Sequence, residues 1–255
     1  MNGSTGKFLL VTRFAILRTL RQPASTIVMV GIPLVLIPIM GTVFSKIGNW
    51  DAHLDGMPNA MAFIAIGIVV LFQLFGGRFS MEAARESLLS EKKWRIYAAP
   101  CTPAIHAMGI MAASTLISLL QGFLLVLFAR AALGVRWGSP AVLFLVLLGT
   151  SILAQLVHVV ILLAIRNYGT AVTLGWTFAW GSAALGGLMF PLPQGRPFWH
   201  FVGSYGTPYS LAQTALATSA GGGARSDTAV CIAVLFALCA LLAFLLTLLG
   251  RRKLS

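Results

Sequence analysis

Acidic side chains are scarce in this chain of 255 residues, with six Asp and Glu against eighteen Lys and Arg. Charged residues of either sign make up only 9%, where a soluble domain carries about 25%. Water alone could not solvate such a surface. The three cysteines offer no disulfide framework. Cys231 and Cys239 fall in one apolar run and Cys101 in a charged loop, so all three are read as reduced thiols. His53, His106, His158 and His200 are scattered without metal-ligand spacing, and no nucleophile–base pair stands out. A phosphate-binding loop is also missing. Gly3 to Lys7 contains a Gly-Lys pair, but at the wrong spacing and with no hydroxyl after it. The chain is therefore expected to carry no ATPase or other catalytic site and to bind no cofactor or metal itself.

What the sequence does have is apolar length. Apolar residues make up 58% and mean hydropathy is +0.90. The net charge of +12 raises the question of nucleic acid, yet the basic residues form no aromatic-interleaved patch. They sit at the ends of apolar runs, as membrane topology requires. Six runs approach the roughly 20 residues a crossing helix needs: 26–44, 60–79, 105–129, 141–165, 171–188 and 228–249. The first is interrupted by Gly31, Pro33 and Pro38, and is expected to be a kinked, retained span whose freed carbonyls are satisfied by neighbouring helices. An even number of spans puts both termini on one face. Thirteen of the eighteen basic residues fall on that face, which makes it cytoplasmic. Residues 7–22 read as an interfacial helix, with Lys7, Arg18 and Arg21 in one arc facing lipid phosphates, or as a plain positive flank.

Two connecting segments carry more information than topology. Residues 81–103 hold every glutamate in the chain, Glu82, Glu86 and Glu91, together with Arg85, Trp94, Arg95 and Tyr97. So charged a stretch must lie in water. It reads either as a topogenic loop or as a helix that docks on a cytoplasmic partner, closed by Pro100 and Pro103. Residues 189–219 read as an external hairpin. Pro191, Pro193 and Pro197 bar a regular helix, and Pro208 opens a new one with Tyr209, Ala212, Gln213 and Leu216 at helical spacing. Phe198, Trp199, Tyr205 and Tyr209 are aromatics of the kind that settle at headgroup level. Inside the spans, Gln73, Gln155 and His158 read as lining a path or as helix–helix hydrogen bonds. Trp176 and Trp180 share a face that lines a hydrophobic route or packs.

The order of these parts resembles the permease subunits of ABC type-2 exporters over nearly the whole length. Trp94-Arg95-Ile96-Tyr97-Ala98-Ala99-Pro100 is similar to the ending of that family's coupling loop. Gly187-Leu188-Met189-Phe190-Pro191-Leu192, then Pro197-Phe198-Trp199, then Ser204-Tyr205-Gly206-Thr207-Pro208-Tyr209-Ser210 is similar to its external hairpin. Lys92-Lys93 stands where the family has Gly-Thr, which leaves the docking register open. The resemblance implies a single all-α polytopic permease domain, residues 1–255, in the inner (plasma) membrane. It implies six transmembrane helices with an interfacial helix, a coupling helix at Glu82 to Tyr97 and a re-entrant hairpin with gate residues Phe190, Pro191, Trp199, Pro208 and Tyr209. It also implies a second permease copy or paralogue, and two separate ATPase subunits that hold the ATP and Mg. Membrane lipid surrounds the whole. A hydrophobic drug, antibiotic or lipid-like molecule is the implied cargo, as in multidrug resistance export. A secondary transporter, or another polytopic membrane protein without an ATPase partner, is the alternative, though no internal repeat of broken spans is visible.

Overall fold

A computed structural model describes residues 4–21, 23–46, 59–89, 102–188, 192–193 and 196–254. Among them there is helix and connecting turn but no strand. The helices are α1 (Ser4–Leu20), α2 (Pro23–Lys46), α3 (Ala60–Phe75), α4 (Gly77–Ala84), α5 (Pro103–Leu133), α6 (Pro140–Ala164), α7 (Tyr168–Leu185), α8 (Pro197–Tyr205), α9 (Pro208–Gly221) and α10 (Arg225–Leu254). A five-residue π turn, Arg85–Leu89, continues α4.

Local chemistry explains where these helices begin. Asn59, Thr102, Asn167 and Thr207 each cap the next helix by accepting a backbone N–H on their side-chain oxygen. Pro103, Pro140, Pro197 and Pro208 occupy first turns, where a missing N–H costs nothing. Pro103 therefore opens α5, although it was expected to close the charged stretch. Gly134 and Gly222 end α5 and α9 with φ of 67° and 73°, a conformation only glycine adopts without strain.

Five described helices are long and apolar enough to cross a bilayer: Ile27–Lys46, Ala60–Ser87, Ala104–Leu133, Pro140–Ala164 and Arg225–Gly250. The run expected as another span, 171–188, corresponds to α7. That helix has 18 residues and is diluted by Thr170, Thr173, Gly175, Thr177, Gly181 and Ser182, so it does not join the five.

Burial ranks the helices. In Ala60–Ser87, 89% of the most apolar window is buried, against 22% for Ile27–Lys46 and 17% for Arg225–Gly250. α3 is thus the axis of the bundle, packed by α2, α5, α6, α7 and α9, while α2 and α10 line its outside. α2 runs unbroken through Pro33 and Pro38. Pro33 has no N–H to offer Met29 O, and Gln121 Nε2 on α5 supplies a donor at 2.9 Å. The expected help from a neighbouring span is there.

α9 departs from expectation. Its buried residues run from Tyr209 to Ala217 and it packs on α3, α6, α7 and α10, so it is built into the bundle and does not lie loose on its surface. Tyr209 is completely buried, unlike Phe198, which is two-thirds exposed. The reason is steric. Gly67 and Gly186 present bare backbone to the Tyr209 side chain, and a Cβ at either would collide with it.

Candidate functional site: the charged segment, the buried polar centre and the aromatic group

At the end reached by α4, three elements are tied together by charge. Arg18 of α1 forms an ion pair with Glu86 of the π turn. The Arg85 guanidinium lies 3.9 Å from the ring centroid of Tyr168 at the start of α7. Glu82 lines a cavity of about 240 Å³ beneath α1, along with Phe14, Arg18, Phe79, Ser87 and His106. Arg18 thus points into the protein, where the helical wheel had it facing lipid phosphates with Lys7 and Arg21. The outward face of α1 is mainly apolar, with Leu9, Leu10, Phe14, Leu17 and Leu20 exposed. Glu91, Trp94, Arg95 and Tyr97 lie outside the described residues.

Next along the bundle comes a buried polar centre. Gln73 Nε2 donates to Ser118 O at 2.8 Å, and Ser151 Oγ donates to Gln73 Oε1 at 2.6 Å. Gln155 Nε2 donates to Ser118 Oγ at 3.1 Å and to Gly76 O at 3.3 Å. His158 Nδ1 lies 2.8 Å from Ala154 O, and the ring fills the space left by Gly77 and Gly175. Gln73, Gln155 and His158 are all buried within the one chain. They join α3, α5 and α6 where α3 breaks at Gly76 into α4. Ser118, Ser151 and Gln121 belong to this polar interior and were missed by sequence reading. Serines and a glutamine inside apolar runs were the available signal.

The aromatics form a third group. Phe75 on α3 sits 4.5 Å from Trp176 and 5.6 Å from Trp180, centroid to centroid. Trp180 is 40% exposed, so this cluster reaches the surface of the bundle between α3 and α7.

The opposite end is closed by α8 and α9. Thr207 Oγ1 donates to Ser182 O at 3.1 Å, which fastens the start of α9, and so Pro208 and Tyr209, to α7. Trp199 stacks edge-on against Phe198 at 5.4 Å, well apart from buried Tyr209 in character and exposure. Among the described residues, the Tyr209 hydroxyl and Gln213 Oε1 have no hydrogen-bond partner. Tyr205 holds its phenol proton above the ordinary range, through desolvation and the nearby Asp227 and Cys231. Phe190 and Pro191 lie outside the described residues. Among the described residues, no three His, Cys, Asp or Glu side chains gather as metal ligands.

A family model described as ABC-2 type transporter matches residues 6–220, from α1 through α9. The chain belongs to the ABC-2 type transporter family. No curated protein sequence matches it. As an ABC-2 membrane domain it is a multi-pass transport subunit, not itself catalytic, of a family that normally works with an ABC ATPase.

Proposed function

We propose that this ABC-2 protein is the permease subunit of an ATP-driven exporter in the inner membrane, with both termini cytoplasmic and α7 as the fifth of its six spans. Eighteen residues at 1.5 Å each make α7 about 27 Å long, close to the roughly 30 Å hydrocarbon core. The family match carries the reading. Two copies form the path, with α2 and α7 as the faces of self-association. Two ATPase subunits, which hold the ATP and Mg, dock under the coupling segment. Movement there reaches the core because α4 continues α3, while Arg18–Glu86 and Arg85–Tyr168 fasten it to α1 and α7. Phe75, Trp176 and Trp180 favour a cargo with a large apolar body, such as a drug, antibiotic or lipid-like molecule.

The test is copurification with the native ATPase, followed by ATP hydrolysis with and without amphiphilic substrates, and cross-linking in native membranes. A permease that brings down an ATPase, crosslinks as a dimer and raises its turnover with substrate supports the proposal. A strictly monomeric species that transports without ATP defeats it.

A further inference from the structure

Two of the spans overshoot a bilayer. Ala60–Ser87, with 28 residues, is about 42 Å long, and Ala104–Leu133, with 30, is about 45 Å, against roughly 30 Å of hydrocarbon. Nothing from Ala60 to Gly77 is charged, so the excess of the first falls at its other end, where Glu82, Arg85 and Glu86 stand at headgroup level. The cavity of about 240 Å³ lies there, between α1, α4 and α5. Along α4 its wall runs from Ser87 and Glu82 at the headgroup end to Phe79 within the hydrocarbon, and along α5 from His106 to Ile110 and Ser114. α1 adds Arg18 and Thr19 at the charged end, where Arg18 pairs with Glu86. Phe14 also lines the cavity, yet it is 63% exposed, so it stands between the cavity and the apolar outward face of α1.

Charge and hydrogen bonding narrow the occupant. Arg78 and Arg85 flank Glu82 by one turn on either side, but Arg85 lies over Tyr168 and Arg78 shares a crevice with Val172 and Trp176, both towards α7. A simple cation entering the cavity would meet the field of three arginines, and a simple anion that of two glutamates. A dipolar ligand satisfies both signs. Thr19 Oγ1 already donates to Ala15 O at 3.1 Å, so towards the cavity it can only accept. Glu82 likewise accepts, and a primary ammonium has the N–H donors that both need, whereas a trimethylammonium has none. A guanidinium carries five N–H donors, so Arg18 keeps donors for a phosphate beyond its pairing with Glu86. The volume is below the roughly 300–1,000 Å³ of a site for a whole drug-sized ligand and suits a headgroup whose chains lie outside.

We infer that this cavity holds the headgroup of an aminophospholipid from the surrounding bilayer, with its ammonium on Glu82 and Thr19, its phosphate on Arg18, and its chains leaving past Phe14. Such a site needs a bilayer around the spans but no ATPase, so lipid binding and export are tested apart.

The full chain in dodecyl maltoside is titrated with phosphatidylethanolamine, phosphatidylcholine and phosphatidylglycerol, all with the same oleoyl chains. Native mass spectrometry reads the first lipid bound. Phosphatidylethanolamine is expected to bind about tenfold more tightly than either of the others. Glu82→Gln should bring it to the level of phosphatidylcholine and leave phosphatidylcholine unchanged, because only the ammonium loses a partner. Arg18→Gln should weaken all three lipids, which share the phosphate. Ala83→Leu, which narrows the cavity without touching a charge, should also weaken all three. Each variant is first checked for monodisperse, helical protein, and the Glu82 and Arg18 variants carry the test if Ala83→Leu does not fold. Equal affinity for the ethanolamine and choline lipids, or a preference that survives Glu82→Gln, overturns the site. Displacement of the lipid by an equal concentration of glycerophosphoethanolamine would assign the cavity to a soluble molecule and overturn the bilayer source.

Discussion

The carbonyl oxygen of Met29 on α2 accepts a hydrogen bond from Gln121 Nε2 on α5 at 2.9 Å. Met29 O is the acceptor that Pro33 cannot serve, and both Met29 and Gln121 are buried. In a bilayer such a carbonyl has no water to turn to, so one glutamine on the next span makes the proline tolerable. Gln121→Leu should cost about 1–3 kcal/mol through the orphaned carbonyl. Pro33→Ala restores an N–H, so the glutamine change should cost far less in that background. Unfolding midpoints of the two single variants and the double variant in detergent decide it. Equal costs in both backgrounds would mean that Gln121 matters for packing alone.

The same pair shows how far the sequence could be read. Pro33 inside an apolar run announces that some neighbour must donate, but it cannot say which, because the rotation of α5 about its axis leaves no mark in an all-apolar run. Gln73 and Gln155 were visible as polar groups in spans, while their common partner Ser118 was not. The helical wheel placed Arg18 correctly relative to Lys7 and Arg21, yet a wheel does not say which face meets protein. Glu86, distant in sequence, decides that. Tyr209 follows a proline and a polar cap, which suggests headgroup level. The two glycines that swallow it come from α3 and from the end of α7.

His158 sits between two glycines that fail differently. The three atoms nearest to a Cβ on Gly175 would all belong to His158, with ring atoms at 2.7 Å. A Cβ on Gly77 would meet His158 and also the Ala154 carbonyl, which cannot move aside. Each alanine substitution alone should cost about 1–3 kcal/mol through overpacking. With His158→Ala in place, Gly175→Ala should become nearly neutral and Gly77→Ala should keep much of its cost. Thermal unfolding of the three single and two double variants checks this. Rescue of both glycines alike would contradict the geometry.

Tyr209 separates ring from hydroxyl. The ring is fully buried, while the hydroxyl makes no hydrogen bond among the described residues. Tyr209→Phe should therefore leave stability unchanged or slightly raised, since no bond is lost. Tyr209→Ala should cost about 3–5 kcal/mol by leaving a cavity against Gly67 and Gly186. In the proposed exporter, alanine at Phe190 and Tyr209 together should impair transport yet leave ATPase recovery normal, because the proposed topology puts both on the far side of the membrane. Loss of the ATPase from the purified complex would mean that the topology is wrong.

The proposed coupling segment offers the sharpest separation between folding and function. The Arg18 and Glu86 side chains are 41% and 47% exposed, so their pairing is worth no more than about 1 kcal/mol to the permease. Arg18→Glu or Glu86→Arg alone should leave membrane insertion and thermal stability nearly unchanged, and so should the charge swap. A docked coupling helix is another matter, because charges partly desolvated against an ATPase cost about 2–5 kcal/mol when their partner is lost. Reversal at Glu86 and Glu91 combined with Trp94→Ala should therefore give normal expression, poor ATPase recovery or uncoupled hydrolysis, and no export. The Arg18→Glu/Glu86→Arg swap adds a control that restores the tie to α1 while keeping Glu91 and Trp94. If α1 is part of the coupling unit, the swap should recover more export than Glu86→Arg alone. Full export by the triple variant would reduce residues 81–103 to a loop that only sets topology.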